Sequence, residues 1–255
     1  MTDFSAVTET WGLPATREQI AMAYCRYKFA GDLAERKSVL EVGCGSGFGL
    51  AYLRERAAFA VGGDPTLGLL AEARTHLPDV LLAQLSAERL PFKDGAFDVV
   101  LMLEMIYYVK DLDAALAEAR RVLRPGGRLL ICLPNRERAD FNPSPFSIHY
   151  PNIPELAQLL ERHDFRPTFY GGFLVEPESS RDRVLAPIRH LAVRFHLIPR
   201  SMRMKALLKR LLYGRLPRLG AIQEGMASYP PLVELEASGA GADRFKVVYA
   251  EGERA

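Results

Sequence analysis

The sequence contains few cysteines and no long apolar run, and both shortages limit what the protein can be. Cys25, Cys44 and Cys132 are its only cysteines, and they lie too far apart in the chain to form a CxxC pair. They therefore indicate neither a zinc site nor a disulfide framework, and we expect no metal and a reducing compartment. No stretch of apolar residues approaches the length needed to span a membrane.

A targeting segment and a strong net charge are also missing. Residues 1–5 have neither a basic start nor an apolar run, so we expect no signal peptide and a cytoplasmic location. The formal net charge is only +2, and no basic stripe carries interleaved aromatic residues. Both observations argue against a nucleic-acid partner.

The composition and the apolar pattern predict one α/β domain. The 255 residues are 49% hydrophobic and 25% charged, as is ordinary for a globular protein. Short apolar runs alternate with amphipathic segments, which predicts a Rossmann-like, doubly wound and mostly parallel sheet. Expected helices span 16–36, 48–56, 67–76, 114–123 and 153–163. Expected strands span 39–42, 59–62, 80–85, 97–103, 128–133, 166–173 and 245–250.

A glycine-rich turn, Glu41-Val-Gly-Cys-Gly-Ser-Gly-Phe-Gly49, follows the first expected strand and opens a helix. Glycines let the backbone turn tightly and approach a ligand closely, and a helix start favours a negative or hydrogen-bond-accepting group. Asp64 ends the next strand, 21 residues after Gly43, where a carboxylate can accept both hydroxyls of a ribose. The pattern predicts a nucleotide or nucleoside site.

Two phosphate-binding motifs do not match this turn. The Gly-Lys-Ser/Thr of a Walker loop is absent. A GxGxxG motif counted from Gly43 would need glycine where Phe48 stands. Counted from Gly45, it would need glycine where Leu50 stands. The remaining pattern, E-x-G-x-G-x-G, suits a nucleoside without a pyrophosphate; the alternative is that these glycines only shape a turn.

At this point the sequence resembles a known family. Residues 38–135 resemble the class I S-adenosylmethionine-dependent methyltransferases, specifically the type 11 group. The segments that carry the resemblance are Val39–Gly47, Glu88–Phe92, Phe97–Val100 and Arg121–Gly127. The resemblance implies a seven-stranded sheet whose last strand is antiparallel, and S-adenosylmethionine as the cofactor.

The resemblance also implies a set of cofactor-binding residues. The loop glycines would approach the methionine and ribose, Asp64 would hold the ribose hydroxyls, and Ser86 would border the adenine. The expected set is Tyr27, Glu41, Gly43, Cys44, Gly45, Gly47, Asp64, Pro65, Ser86, Ala87, Leu103 and Glu104. The sequence departs from the family's usual pattern at two positions: Ser86 replaces an aspartate and Tyr108 replaces a histidine.

Three residues are candidates for catalysis, and each has an alternative interpretation. Glu104 would bind the cofactor amine or take a proton; the alternative is a solvated acid at a strand end. Tyr108 would shape the substrate pocket; the alternative is an aromatic core residue. His149, on a loop at the carboxyl edge of the sheet, would be a base; the alternative is a surface histidine.

We expect four parts within the single domain of residues 1–255. They are an N-terminal cap helix (1–37), a cofactor-binding core (38–173), a basic helical insertion (174–244) and the last strand (245–255). Residues 181–218 contain eleven lysines or arginines and one acid, Asp182. We expect helices at 184–197 and 200–213, and four interpretations of them are open. They form a lid over the site, lie on an anionic membrane surface, or bind an anionic substrate. In the fourth interpretation they pack inward and their arginines are simply solvated.

The sequence therefore predicts an enzyme that transfers a methyl group to the oxygen or nitrogen of a small molecule. One alternative is a peripheral-membrane methyltransferase that acts on a lipid or a lipid-linked saccharide. Another is a non-catalytic interaction module on the same fold. The acceptor itself cannot be named from the sequence, because acceptor specificity lies in loops that vary within one fold.

Overall fold

A computed structural model describes residues 3–139, 141–175 and 216–255. The α-helices are α1 (Arg17–Ala34), α2 (Leu50–Arg56), α3 (Leu67–His76), α4 (Leu112–Val122) and α5 (Ile153–Arg162). The strands are β1 (Ser38–Val42), β2 (Phe59–Asp64), β3 (Leu81–Gln84), β4 (Phe97–Leu103), β5 (Leu123–Pro134), β6 (Phe165–Leu174), β7 (Val233–Leu235) and β8 (Phe245–Arg254). Short 3-10 turns span Ile106–Tyr108 and Ala242–Arg244.

All the strands join one sheet in the order β3-β2-β1-β4-β5-β8-β6-β7. The first five in that order are parallel, and β8 pairs antiparallel with both β5 and β6. The predicted Rossmann-like sheet with an antiparallel last strand is thereby confirmed. Within the described residues the sheet has eight strands instead of seven, because Val233–Leu235 adds an antiparallel edge strand beside β6.

The helix starts follow from local sequence. At the start of α1, Gln19 N donates to Thr16 Oγ1 at 3.2 Å and Thr16 N donates to Gln19 Oε1 at 3.0 Å. This capping box, predicted from the spacing of the two residues, satisfies two amide groups that a helix start otherwise leaves unpaired. Asn152 and Glu155 form the same arrangement at the start of α5.

The central strands are buried on both faces, as their nearly continuous apolar runs predict. In β4, Val99 to Met102 have no measurable exposure. Helices α4 and α5 cover one face, whereas α1 and α2 cover the other. Within the described ranges, no helix is both long enough and apolar enough to cross a membrane.

The expected helices at 184–197 and 200–213 lie outside the described residues, so the lid interpretation stays a prediction. The described end of the insertion packs against the N-terminal region. Leu219 and Ile222 are buried there, and Leu219 N donates to Leu13 O at 2.8 Å. The Glu224 carboxylate accepts hydrogen bonds from Tyr24 Oη at 2.8 Å and Tyr52 Oη at 2.5 Å.

The Tyr27 ring of α1 packs directly onto Gly49, where α2 begins. A Cβ atom added to Gly49 would lie 1.8 Å from Tyr27 Cζ, so no larger residue fits while the ring stays in place. The backbone at this glycine is right-handed helical, with φ −86°. Its requirement for glycine is therefore steric rather than conformational.

We predict that Gly49→Ala destabilises the protein by about 1–3 kcal/mol or more, because it overpacks this contact. The same substitution should cost much less in a Tyr27→Ala background. Gly68→Ala is the matched control, since a Cβ there meets no atom of the described part of the chain within 4 Å. Urea denaturation measures all three, and an equal cost of Gly49→Ala in both backgrounds would contradict the steric explanation.

Candidate functional site

The glycine loop between β1 and α2 is held by the end of β2. Gly43 N and Cys44 N both donate to Gly63 O, at 2.7 and 3.0 Å. Gly43, Gly45 and Gly47 have φ values of +79°, +54° and +78°, the left-handed region that favours glycine. The loop can therefore take this path only because glycines occupy these three positions.

Asp64 is the last residue of β2, and its carboxylate joins that strand to the glycine loop. Its Oδ2 accepts from Gly45 N at 3.0 Å and its Oδ1 accepts from Thr66 N at 2.8 Å. The residue is 5% exposed, and burial raises the pKa of its carboxyl group above the ordinary value. Each carboxylate oxygen keeps a lone pair for a further donor, such as a ribose hydroxyl.

Two adjoining cavities open at the carboxyl ends of β1, β2 and β4. They have volumes of about 240 and 510 Å³. Both are lined by Phe4, Gly43, Pro65, Met105 and Tyr108. This is the edge where ligands bind in open α/β sheets, and the two volumes together form one elongated site.

Most of the predicted cofactor residues meet in these cavities. The smaller cavity is lined by Tyr27, Gly43, Cys44, Gly45, Asp64, Pro65, Leu103 and Glu104. Ser86 and Ala87 line the larger one. Glu41 and Gly47 line neither: Glu41 lies beneath the loop, and the α-carbon of Gly47 faces Ala73 and Leu77 of the α3 region.

Glu41 is fully buried and carries an unpaired oxygen. Tyr27 Oη donates to Glu41 Oε1 at 2.6 Å, whereas Oε2 has no hydrogen-bond partner among the described residues. Burial raises the pKa of the Glu41 carboxyl group to about 7, although the Tyr27 hydrogen bond and the nearby Arg26 act in the opposite direction. Glu41 is therefore tied to α1 through Tyr27, and its Oε2 atom can still accept a hydrogen bond.

Glu104 lines the smaller cavity, and its backbone is in a strained conformation. Its φ of 56° is left-handed, which costs about 1–3 kcal/mol for a residue other than glycine. Its carboxylate accepts from Tyr107 Oη at 3.0 Å and lies 3.4 Å from Arg26 Nη1. Burial raises the pKa of this carboxyl group, whereas Arg26 lowers it.

The two remaining catalytic candidates lie in different surroundings. Tyr108 lines both cavities and hydrogen-bonds Ser144 through their hydroxyl groups at 2.5 Å, and burial raises its pKa to about 12. His149 lines neither cavity; its Nε2 lies 2.9 Å from Glu155 Oε2 and its side chain is exposed. The structure does not bring His149 into the site because Glu155, at the start of α5, holds it at the surface.

Sequence reasoning missed two contributors to the site. One is Arg26, which faces the cavity from α1 and lies 3.1 Å from Glu9. The other is an N-terminal strap, residues 4–12, which supplies Phe4, Val7, Thr8 and Glu9 to the lining of the smaller cavity. The strap is attached at Trp11, whose Nε1 donates to Ser46 O at 2.6 Å. No periodic pattern or motif in the strap pointed to this role.

Aromatic rings form one wall of the smaller cavity. Tyr108 lies between two other rings, with centroid distances of 5.1 Å to Phe4 and 4.5 Å to Tyr107. Tyr107 also stacks on Tyr150 at 4.3 Å, which holds it in place from behind. The wall is therefore closely packed and largely apolar, and the Ser144 hydroxyl is its polar group.

This fold and site define an α/β protein that can hold a nucleoside with an attached polar group at the glycine loop. Residues 40–131 match the family model described as "Methyltransferase domain". They therefore belong to that family, and the chain carries a class I, S-adenosylmethionine-dependent methyltransferase domain.

Similar proteins include a "probable S-adenosylmethionine-dependent methyltransferase" of Mycolicibacterium smegmatis, 33% identical over 56% of this chain and 59% of that protein. A "ubiquinone biosynthesis O-methyltransferase" of Pseudomonas paraeruginosa is 34% identical over 51% of this chain and 57% of that protein. The chain thus spans less than two thirds of the length of either relative. A solved Thermotoga maritima SAM-dependent methyltransferase matches 92% of this chain and 90% of its own with a TM-score of 0.59 and 18% identity, which shows the fold.

We predict that Glu41→Gln stabilises the protein relative to wild type as pH rises. The folded-state pKa of about 7 exceeds the ordinary value of 4.5, so the native state holds this proton more tightly than the unfolded state. As the pH rises from 4.5 to about 7, the wild-type protein should therefore lose up to about 3 kcal/mol of its free energy of unfolding. The variant should not show this loss.

Thermal unfolding at pH 5 and pH 8 measures this difference. Glu55→Gln, which makes the same charge change at an exposed position of α2, is the control. A Glu41→Gln effect that is the same at both pH values would show that the carboxyl group titrates alike in the folded and unfolded chains.

Proposed function

We propose that this protein transfers a methyl group from S-adenosylmethionine to the oxygen or nitrogen of a small acceptor that carries an aromatic ring. The observation that carries this proposal is the elongated site itself. The glycine loop and Asp64 border the smaller cavity, Ser86 and Ala87 border the adjoining one, and an aromatic wall faces them. Together they offer separate places for a nucleoside and for an acceptor.

The residues fit the cofactor in chemical type. Gly43 and Gly45 line the smaller cavity, where Met105 and Thr8 pack closely against them. The buried Asp64 carboxylate keeps acceptor capacity for two hydroxyl groups. The apolar edges of Leu85 and Ala87 suit a purine face in the larger cavity. Ser86 offers a hydroxyl where an aspartate is usual, so the exocyclic amine of adenine has a weaker partner there.

The acceptor lies against the aromatic wall in this proposal. The rings of Phe4 and Tyr108 suit a planar apolar group, since aromatic pairs gain about 0.5–1.5 kcal/mol beyond area burial. One relative is, by its name, an O-methyltransferase of ubiquinone biosynthesis. The strap and the wall exclude water from the reacting atoms, which favours in-line transfer.

A proton must leave only if the attacking oxygen or nitrogen carries one. The bound sulfonium supplies an already activated methyl group. Tyr108 stays neutral near pH 7, because the ordinary tyrosine pKa of 10.0 already lies far above 7 and burial raises it further, to about 12. It therefore acts as a hydrogen-bonding group. Of the three catalytic candidates, Glu104 is the one whose carboxylate lines the cavity, and it is therefore the candidate base. The hydrogen bond from Tyr107 orients this carboxylate.

We predict that Asp64→Asn weakens S-adenosylmethionine binding at least tenfold, about 1.4 kcal/mol. The amide keeps the shape of the side chain but loses the negative charge and one acceptor. Calorimetric titration measures the affinity, and transfer of labelled methyl from the cofactor to phenol and aniline acceptors measures the reaction.

Asp98→Asn is the matched control, because Asp98 accepts hydrogen bonds from Ser38 at the amino ends of the parallel strands, away from the cavities. It should leave the affinity unchanged. Wild-type protein that binds no S-adenosylmethionine would favour a non-catalytic module, and an Asp64→Asn affinity equal to wild type would refute the assigned ribose site.

A second candidate function is methyl transfer to a lipid acceptor at a membrane surface. Phe146 and Ile148 are 58% and 55% exposed, and they lie on the loop that supplies Ser144 to the cavity. Exposed apolar side chains beside a site mouth suit contact with acyl chains. The basic stretch 181–218 would supply attraction to anionic lipids.

If this second function holds, Phe146→Ser with Ile148→Ser should abolish co-sedimentation with vesicles of phosphatidylglycerol and phosphatidylcholine. Phe59→Ser is the control, because Phe59 is similarly exposed, at 48%. It is the first residue of β2 and so lies at the amino ends of the parallel strands, away from the cavities. Absence of wild-type binding to such vesicles would eliminate the lipid function and leave the first proposal intact.

A further inference from the structure

Two hydroxyl groups meet on the aromatic wall of the smaller cavity. Tyr108 Oη and Ser144 Oγ lie 2.5 Å apart, and both residues line this cavity. The rings of Phe4 and Tyr107 are the neighbours of the Tyr108 ring, with centroids 5.1 and 4.5 Å away. The hydroxyl pair therefore places a polar point on a surface that otherwise suits a hydrocarbon ring, which is how small-molecule sites fix the orientation of a ligand.

This pair has hydrogen-bonding capacity left for a ligand. Each hydroxyl carries one proton and two lone pairs, and the bond between the two uses one proton and one lone pair. If Tyr108 donates, the Ser144 proton remains, and its recorded acceptor, Pro145 O, is a distant one at 3.4 Å. If Ser144 donates, the Tyr108 proton remains. In both arrangements the pair can donate to a ligand oxygen and can also accept from one, so it matches a hydroxyl group.

The pair is chemically distinct from the candidate base. Burial raises the pKa of Tyr108 to about 12, and a serine hydroxyl is a weaker acid still, so both hydroxyls keep their protons near pH 7. Glu104, whose carboxylate lines the same cavity and accepts from Tyr107 Oη, is the group suited to take a proton from the attacking atom. The hydroxyl pair is then left for a different atom of the acceptor.

The loop that carries Ser144 is held against the wall by hydrogen bonds. Ser144 N donates to Tyr150 Oη at 2.9 Å, and the Tyr150 ring stacks on that of Tyr107. Ile148 N donates to Tyr107 O at 2.8 Å, which ties the loop to the 3-10 turn that also carries Tyr108. The two hydroxyls are therefore positioned within the protein itself, and little conformational entropy is lost when a ligand atom binds to them.

We propose that the Tyr108–Ser144 hydroxyl pair binds an oxygen substituent of the acceptor's ring, at a ring position different from the atom that is methylated. The inference rests on the proposed function, because it assumes an aromatic acceptor on this wall. It narrows the acceptor to aromatic compounds that carry a hydroxyl or carbonyl oxygen in addition to the attacking oxygen or nitrogen. Tyr108 and Ser144 are thus specificity-determining residues.

Matched acceptors measure this preference. Each dihydroxybenzene isomer is compared with the methylphenol of the same substitution pattern, in which a methyl group of similar size replaces the second hydroxyl. With S-adenosylmethionine as donor, wild-type protein should have a kcat/KM about tenfold or more higher for at least one dihydroxybenzene than for its methylphenol, because a site that hydrogen-bonds a hydroxyl rejects the analogue without it.

Tyr108→Phe and Ser144→Ala should each reduce that ratio to about twofold, the value that two equivalent hydroxyls give by statistics, chiefly by raising KM for the dihydroxybenzene. Because the two hydroxyls act together, the double variant should reduce the ratio no further. Each ratio is measured within one variant, so a partial loss of folded protein cancels. Tyr170→Phe is the control, since it removes a tyrosine hydroxyl from β6, outside the lining of both cavities, and it should leave the ratio unchanged.

Three outcomes would overturn the inference. They are a wild-type ratio of about twofold or less for every isomer, a ratio that neither substitution lowers, and a protein that binds S-adenosylmethionine but methylates none of these phenols. In the first two cases methyl transfer itself persists, so the proposed function stands. Wild-type protein that binds no S-adenosylmethionine in a calorimetric titration would instead refute the proposed function.

Discussion

The carbonyl oxygen of Gly63 accepts hydrogen bonds from two successive amides, those of Gly43 and Cys44, and the site depends on this junction. It ties the first loop of the sheet to the end of the second strand, so pairing between β1 and β2 also sets the position of the loop. Asp64 follows Gly63 directly and closes the junction by accepting from Gly45 N. A change in the register of β1 and β2 would therefore displace the loop and its acid together.

The buried Glu41 and the Tyr27 ring extend this constraint to the first helix. Tyr27 fills the space that a side chain at Gly49 would occupy and donates to Glu41 below the loop. Because α1 presents Tyr27 and Arg26 side by side, the contact that fixes the helix on the loop also sets the position of the cavity's cation. Support of the loop and the positive charge in the cavity thus come from one short stretch of sequence.

Local features of the site could be predicted from the sequence because they depend on spacing along the chain. The glycine loop, Asp64 and the capping box at Thr16 each follow from a few neighbouring residues. Contacts made by residues far apart in sequence could not be predicted in this way. Arg26 has no motif that distinguishes it from a surface arginine on a helix, and three-residue β7 is too short to show a period. His149 was chosen for its loop, and the loop does reach the cavity through Ser144, but an ordinary pairing with Glu155 turns the imidazole outward.

The attachment of the strap has a practical consequence. Trp11 is the one tryptophan in the sequence, and its indole stacks on His76 with ring centroids 4.2 Å apart while its N–H donates to Ser46 in the glycine loop. The tryptophan fluorescence of this chain thus arises at the point where the strap meets the loop. Without any added label, the emission spectrum therefore reports on the contact between the strap and the glycine loop.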